Sequence, residues 1–231
     1  MTSPQNNYLL ESLPGKACEQ IIQSSELTEL KFGEVLCEPG RPYKHVYFPL
    51  TSFISLMEIV PNHPPLEVGL IGNEGMVGIT LILSIKEAPL HVVVQGPGTA
   101  YKMPAQKFTL ALRENPSLLR MLNRYLFVTM AQLSQTAACT HFHEVEARLA
   151  RWLLMTHDRA HADHFHLTHQ YLADMLGVQR SAVTIAAGML QQRNIINYTR
   201  GEINVLDRKS LEAVSCVCYA ATNAAYAKQF A

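Results

Sequence analysis

The stretch Thr168-His169-Gln170-Tyr171-Leu172-Ala173-Asp174-Met175-Leu176-Gly177-Val178-Gln179-Arg180-Ser181-Ala182-Val183-Thr184 predicts a helix, a tight turn at Gly177 and a second helix. Two helices joined by a short glycine-containing turn form a helix-turn-helix, whose second helix lies in the DNA major groove. Thr168 suits the N-cap, since its hydroxyl accepts from a first-turn N–H. Leu172, Ala173 and Leu176 make the apolar side of the first helix, and Val178 and Val183 are placed to plug the space between the two. The second helix, at about 179–193, puts Val183, Ala186, Ala187 and Leu190 on one face. Gln179, Arg180, Ser181 and Thr184 share the other face near its N-terminus, where a recognition helix meets base edges. Arginine bonds guanine O6 and N7 bidentately, and glutamine pairs with adenine. Thr184 suits a thymine methyl or a phosphate. Thr168, His169 and Gln170 are expected to position the DNA backbone.

Behind this head, 195–206 reads as a two-stranded hairpin closed around Arg200-Gly201. A hairpin there is a wing, and Arg200 at its tip is placed for a phosphate. Upstream, Glu144 to His157 reads as a helix with Val145, Leu149, Ala150, Trp152 and Leu153 inward and Arg148 and Arg151 on its flank. A polar connector, His157 to His164, follows. The segment after Pro116 has no breaker and puts Leu118, Leu122, Tyr125, Leu126, Thr129 and Leu133 on one stripe. Leu119, Phe127 and Met130 leave other faces apolar, which predicts cover from a second copy of the helix. The first hundred residues carry short β-branched or aromatic runs (His45 to Phe48, Phe53 to Met57, Leu66 to Gly72, His91 to Gln95) with Gly/Pro punctuation. That pattern predicts a small barrel or jelly roll.

Composition sets the frame. The chain has 231 residues, 48% hydrophobic and 16% charged, enough for one large domain or two modest ones. No apolar run is long enough to cross a bilayer. The opening Met1-Thr2-Ser3-Pro4-Gln5-Asn6-Asn7 lacks the basic-then-apolar run of a secretion signal, so a cytoplasmic, membrane-free protein is expected. Net charge is zero. A dedicated DNA-binding domain is usually basic, but only a small part of this chain would touch DNA. The five scattered cysteines suit reduced, buried thiols, and none of Cys18, Cys37, Cys139, Cys216 or Cys218 suggests a disulfide framework. Cys139 with the Cys216-Val217-Cys218 pair is also a candidate redox reporter. Seven of ten histidines fall between His141 and His169. His157, His161, His164 and His166 have metal-like spacing, yet no cysteine or carboxylate near them completes a ligand shell. No metal site or cofactor is expected, and nothing singles out a haem axial pair. Gly-x-Ser-x-Gly, P-loop and His-Glu-x-x-His motifs are absent, which excludes those enzyme classes.

The order β-roll, long helix, helix-turn-helix, wing resembles the Crp/Fnr family of bacterial transcription regulators over nearly the whole chain. The residues that carry it are Leu172 to Thr184 with the wing to Asp207, Val145 to Leu154, and the opening Gly33-Glu34-Val35-Leu36, Pro39-Gly40 and Val46-Tyr47-Phe48. The resemblance implies an α+β fold. A cyclic-nucleotide-binding-like β-roll sensor domain would span 15–115, a long dimerisation helix 116–140, and a winged helix-turn-helix 144–215. It implies a homodimer on a two-fold-related promoter operator, with half-sites about 34–36 Å apart. RNA polymerase and a small-molecule effector are the further partners it suggests. The segment Glu74-Gly75-Met76-Val77-Gly78 matches the family's effector-binding glycine segment. Relatives that bind cyclic AMP follow it with a ribose-binding glutamate and a phosphate-binding arginine. Here Ile79 and Pro89-Leu90 stand near those places, and Lys86 is the nearby cation, so the usual cyclic AMP contacts are expected to be lost. The family's iron–sulfur sensors need four thiolates with a clustered N-terminal set, whereas only Cys18 and Cys37 lie in that half. Arg180 matches the family's base-reading arginine, while Ser181 and Ile185 replace its acidic and second basic positions. Two alternatives stay open: a metal- or redox-responsive regulator of the same fold, and a partner-binding module whose helix-turn-helix does not read DNA.

Overall fold

The computed structural model describes residues 6–230; Met1–Gln5, the start of the stretch read for a secretion signal, lie outside the described residues. Two short helices, α1 (Tyr8–Glu11) and α2 (Gly15–Gln23), open the chain. Strands β1 (Glu26–Leu30), β2 (Val35–Cys37), β3 (His45–Pro49), β4 (Phe53–Glu58) and β5 (Leu66–Ile71) follow. A 3-10 turn (Ile79–Leu83) leads to β6 (His91–Gly96) and β7 (Gly98–Pro104). The remainder is α3 (Ala105–Glu114), α4 (Pro116–Phe142), α5 (Val145–Ala160), β8 (His164–His166), α6 (His169–Leu176), α7 (Arg180–Gln192), β9 (Ile196–Thr199), β10 (Glu202–Val205), α8 (Arg208–Val214) and α9 (Cys218–Phe230). No helix among the described residues is long and apolar enough to cross a membrane.

The chain divides into two compact units. The first holds residues 1–57, 69–131 and 225–231, and the second holds 58–68 and 132–224. Residues 58–68 thus group with the second unit although the stretches on either side belong to the first.

Two sheets form, with strand orders β1-β7-β3 and β2-β6-β4-β5, and the β1–β7, β3–β7, β2–β6 and β4–β6 pairs are antiparallel. Alternation puts Val46, Phe48, Ile54, Val92 and Val94 in the core. Phe48 and Phe108 meet edge to face at 6.4 Å. Burying a side chain of this size contributes about 1.5–3 kcal/mol. The α4 residues Leu118, Leu122 and Tyr125 join this core, while Phe127 and Met130 are each 59% exposed. The helices α1 and α2 went unread in the sequence because their polar residues hide the apolar set Leu9, Leu10, Ala17 and Ile21.

In the second unit, α5 is the base of the reading head, with Leu149, Ala150, Leu153 and Leu154 fully buried. The indole of Trp152 donates to a Glu67 carboxylate oxygen at 2.8 Å. Two expectations need correction here. Arg148 and Arg151, read on the flank of α5, are both buried. One guanidinium reaches the Leu176 carbonyl, and the other donates to Thr136 Oγ1 at 3.3 Å. The connector 157–164 is partly ordered structure: α5 runs to Ala160, and β8 adds a third strand to the wing.

Candidate nucleic-acid interface

Thr168 starts α6 as expected, its hydroxyl accepting the Tyr171 N–H at 3.1 Å. Gly177 ends α6 in the left-handed region at φ +63°, and a Cβ there would lie 2.7 Å from Leu66 Cδ1. Only glycine meets both conditions without strain. The turn then launches α7, whose buried face is Val183, Ala186, Ala187 and Leu190. Its opposite face leaves Gln179, Arg180, Ser181 and Thr184 exposed, with Ile185 and Met189 beside them. The apolar face is spent on α5 and α6, so the polar end is what remains for a ligand.

His169 and Thr184 are tied to each other. Thr184 Oγ1 donates to the Arg180 carbonyl at 3.0 Å and shares a hydrogen bond with His169 Nδ1 at 2.9 Å. The His169 ring also stacks on Tyr198 of β9, with centroids 4.1 Å apart. Burial first, and the Arg180 charge second, hold the His169 imidazole below its ordinary pKa, so it is neutral at pH 7. These two residues therefore act as an internal strut linking α6, α7 and the wing. Tyr198 was missed in the sequence, because a tyrosine in a short strand carries no signal of what stacks on it. Gln170 is exposed, with its amide on Asp174 at 2.8 Å.

The wing hairpin turns at Arg200 (φ +53°) and Gly201 (φ +88°), both left-handed as a type I′ turn requires. The turn is held by Leu167, whose N–H donates to the Gly201 carbonyl at 2.6 Å. The turn lies beside the start of α6, for a Cβ on Gly201 would sit 3.8 Å from Thr168 Cγ2. Arg200 is exposed there.

The residues read as an effector segment sit inside the first unit. Met76 and Val77 are fully buried. Gly75 faces Tyr125, whose hydroxyl oxygen would be 2.1 Å from an added Cβ and accepts the Met76 N–H at 3.1 Å. The Glu74 carboxylate accepts from the Gly72 N–H, and its carbonyl accepts from the Tyr226 hydroxyl at 2.9 Å. Gly78 caps the 3-10 turn, and a Cβ there would lie 2.9 Å from Val46 Cγ1. Ile79 is buried and Lys86 exposed.

Three of the connector histidines have protein partners. His157 Nε2 donates to Asp163 at 2.6 Å while its Nδ1 accepts from Arg208. His164 and His166 both pair with Glu202. The one metal-ligand grouping among the described residues is elsewhere: Cys139, His143, Cys216 and Cys218.

Residues 147–214 match the Crp-like helix-turn-helix domain model. The chain is 25% identical over 177 residues to the global nitrogen regulator of Nostoc sp. strain PCC 7120, covering 72% of this chain and 79% of that protein. Among solved structures, it superposes on a Crp/Fnr family regulator from Thermus thermophilus with a TM-score of 0.68 at 22% identity, covering 82% of this chain and 98% of that one. On FixK2 from Bradyrhizobium japonicum the TM-score is 0.70 at 15% identity, covering 83% and 98%. The structural likenesses carry the fold: a sheet domain followed by a winged helix-turn-helix. With the helix-turn-helix match and the sequence relatives added, these findings support a transcription regulator of the Crp/Fnr type.

Proposed function

We propose that this protein binds a two-fold-symmetric promoter operator as a homodimer, with the N-terminal end of α7 in the major groove. The observation that carries this reading is the division of α7: an apolar face locked into the second unit, and an exposed polar end at Gln179, Arg180 and Ser181. Those three supply base contacts, and exposed Ile185 offers an apolar surface to thymine methyls. Thr168, Gln170 and Arg200 fix the backbone, and the His169–Thr184 strut holds the two groups together. The dimer rests on α4, where exposed Phe127, Met130, Ser134, Ala137 and His141 recur at alternating spacings of three and four, the pattern of a helix seam. RNA polymerase is the partner on which the bound dimer then acts.

The test is in vitro selection of random duplex DNA by the full-length, ligand-free protein. Enrichment of an inverted repeat is expected. Absence of enrichment, both in buffer and with cell extract added, would sink the reading.

Within that complex, Arg200→Ala is expected to weaken binding alike on all sequences. It should also lower the slope of log K against log salt by about one phosphate contact per protomer. Fluorescence anisotropy across a salt series checks it, and a changed sequence preference would contradict it.

The ligand for the first unit is proposed to differ from cyclic AMP in its usual mode. Ile79 and Pro89-Leu90 supply neither the ribose nor the phosphate contact, and a buried phosphate needs a cation or several N–H donors. Calorimetry with cyclic AMP is expected to show no heat of binding; micromolar affinity would overturn this part alone.

A further inference from the structure

Three thiols and an imidazole meet in the second unit. Cys139 lies in the last turn of α4, and His143 follows four residues later. Cys216 precedes α9, and Cys218 is its first residue. One ligand atom from each lies within 4.8 Å of all the others. Cys139 Sγ is 3.5 Å from Cys216 Sγ, and Cys218 Sγ is 3.4 Å from His143 Nδ1. A tetrahedral zinc ion, with Zn–S about 2.3 Å and Zn–N about 2.0–2.1 Å, holds its ligand atoms roughly 3.6–3.8 Å apart. A disulfide needs about 2.05 Å between sulfurs. The Cys139–Cys216 and Cys218–His143 spacings are close to those of ligands around one ion, and every other pair lies within 4.8 Å.

The surroundings complete the case. The three cysteines are 2%, 7% and 0% exposed, and Ala147 packs against them. Here three ligands are buried and His143 half-buried, and a full set of four protein ligands is the mark of a structural zinc site, which keeps no open position. Gln135 Nε2 donates to Cys218 Sγ at 2.9 Å, the kind of outer-shell bond that orients a thiolate ligand. Arg148 and Arg151 are buried, and both interact electrostatically with Cys139. Three thiolates and a neutral imidazole around Zn²⁺ carry a net charge of −1, which offsets buried positive charge.

We propose that Cys139, His143, Cys216 and Cys218 bind one Zn²⁺ ion in a closed Cys3His site. The site joins the last turn of α4 to the segment that follows α8. Binding converts three thiols to thiolates and releases their protons to solvent, with no oxidation or reduction. It is separate from the DNA-reading face, so its failure leaves the operator reading standing.

The test is elemental analysis of full-length protein purified under reducing conditions without a metal-affinity step. Close to one zinc per chain is expected, with thiolate-to-cobalt charge-transfer bands after exchange into Co²⁺. Cys218→Ser is expected to cut zinc content by about tenfold or more, while His143→Cys retains it and Cys18→Ser leaves it unchanged. Should Cys218→Ser fail to fold, wild-type protein stripped with a chelator serves instead: added Zn²⁺ is expected to raise its melting temperature. Folded protein with no zinc and no thermal response to Zn²⁺ would overturn the proposal. So would iron in its place, or a Cys139–Cys216 disulfide in the reduced preparation.

Discussion

Arg180→Ala is expected to abolish preference at one base pair in each half-site. Arg180 is the first residue of α7, exposed and at the end that enters the groove in the proposed complex. A bidentate arginine–guanine contact is worth about 1–3 kcal/mol of discrimination, and a dimer makes it twice. If the half-sites are independent, the loss is about 2–6 kcal/mol, or roughly 30-fold to 10⁴-fold in the ratio of preferred to altered operator. Affinity for random DNA should fall only by the share of one charge per protomer. The measurement compares selection profiles and operator dissociation constants for the wild type and the variant. An unchanged profile would remove Arg180 from base reading and revive the view that this helix-turn-helix binds a protein partner. Folding should not suffer, because the side chain is exposed and the cap of α6 does not depend on it.

Phe127→Glu is expected to convert the dimer to monomer and to lower operator affinity by about 10²–10⁴, the avidity lost when two half-sites are no longer read by one linked pair. Phe127 is 59% exposed, so within one chain it buries little. Across a helix seam each copy would bury an aromatic side chain, worth about 1.5–3 kcal/mol. The glutamates would also face each other as like charges. Sedimentation equilibrium reads the mass, and circular dichroism should show the helix content unchanged. A variant that remains dimeric with wild-type operator affinity would show that α4 does not form the seam. Arg180→Ala leaves the dimer intact and Phe127→Glu leaves the recognition helix intact, so the two results separate the reading head from the assembly.

Sequence period and punctuation determined most of the second unit. Thr168, Gly177 and the Val183, Ala186, Ala187, Leu190 repeat placed two helices and a turn, because cap chemistry, a left-handed φ and a 3.6 period are local properties. Arg200-Gly201 marked the wing for the same reason. The strands from His45 to Gln95 were legible by alternation and glycine, and α4 by its unbroken length. Tertiary structure decided what locality leaves open. Amphipathic patterning puts Arg148 and Arg151 on the flank of α5, whereas the fold buries both, since a carbonyl at the end of α6, a threonine hydroxyl and a sulfur cluster meet them there. Counting histidines drew attention to 157–169, where each of His157, His164 and His166 has a protein partner. The ligand set that does converge joins 139–143 to 216–218. A pairing across more than seventy residues leaves no mark in local spacing, and only the packing of α8 on α5, with the Cys216 N–H donating to the Ala147 carbonyl, brings those sulfurs and that imidazole within reach of one ion.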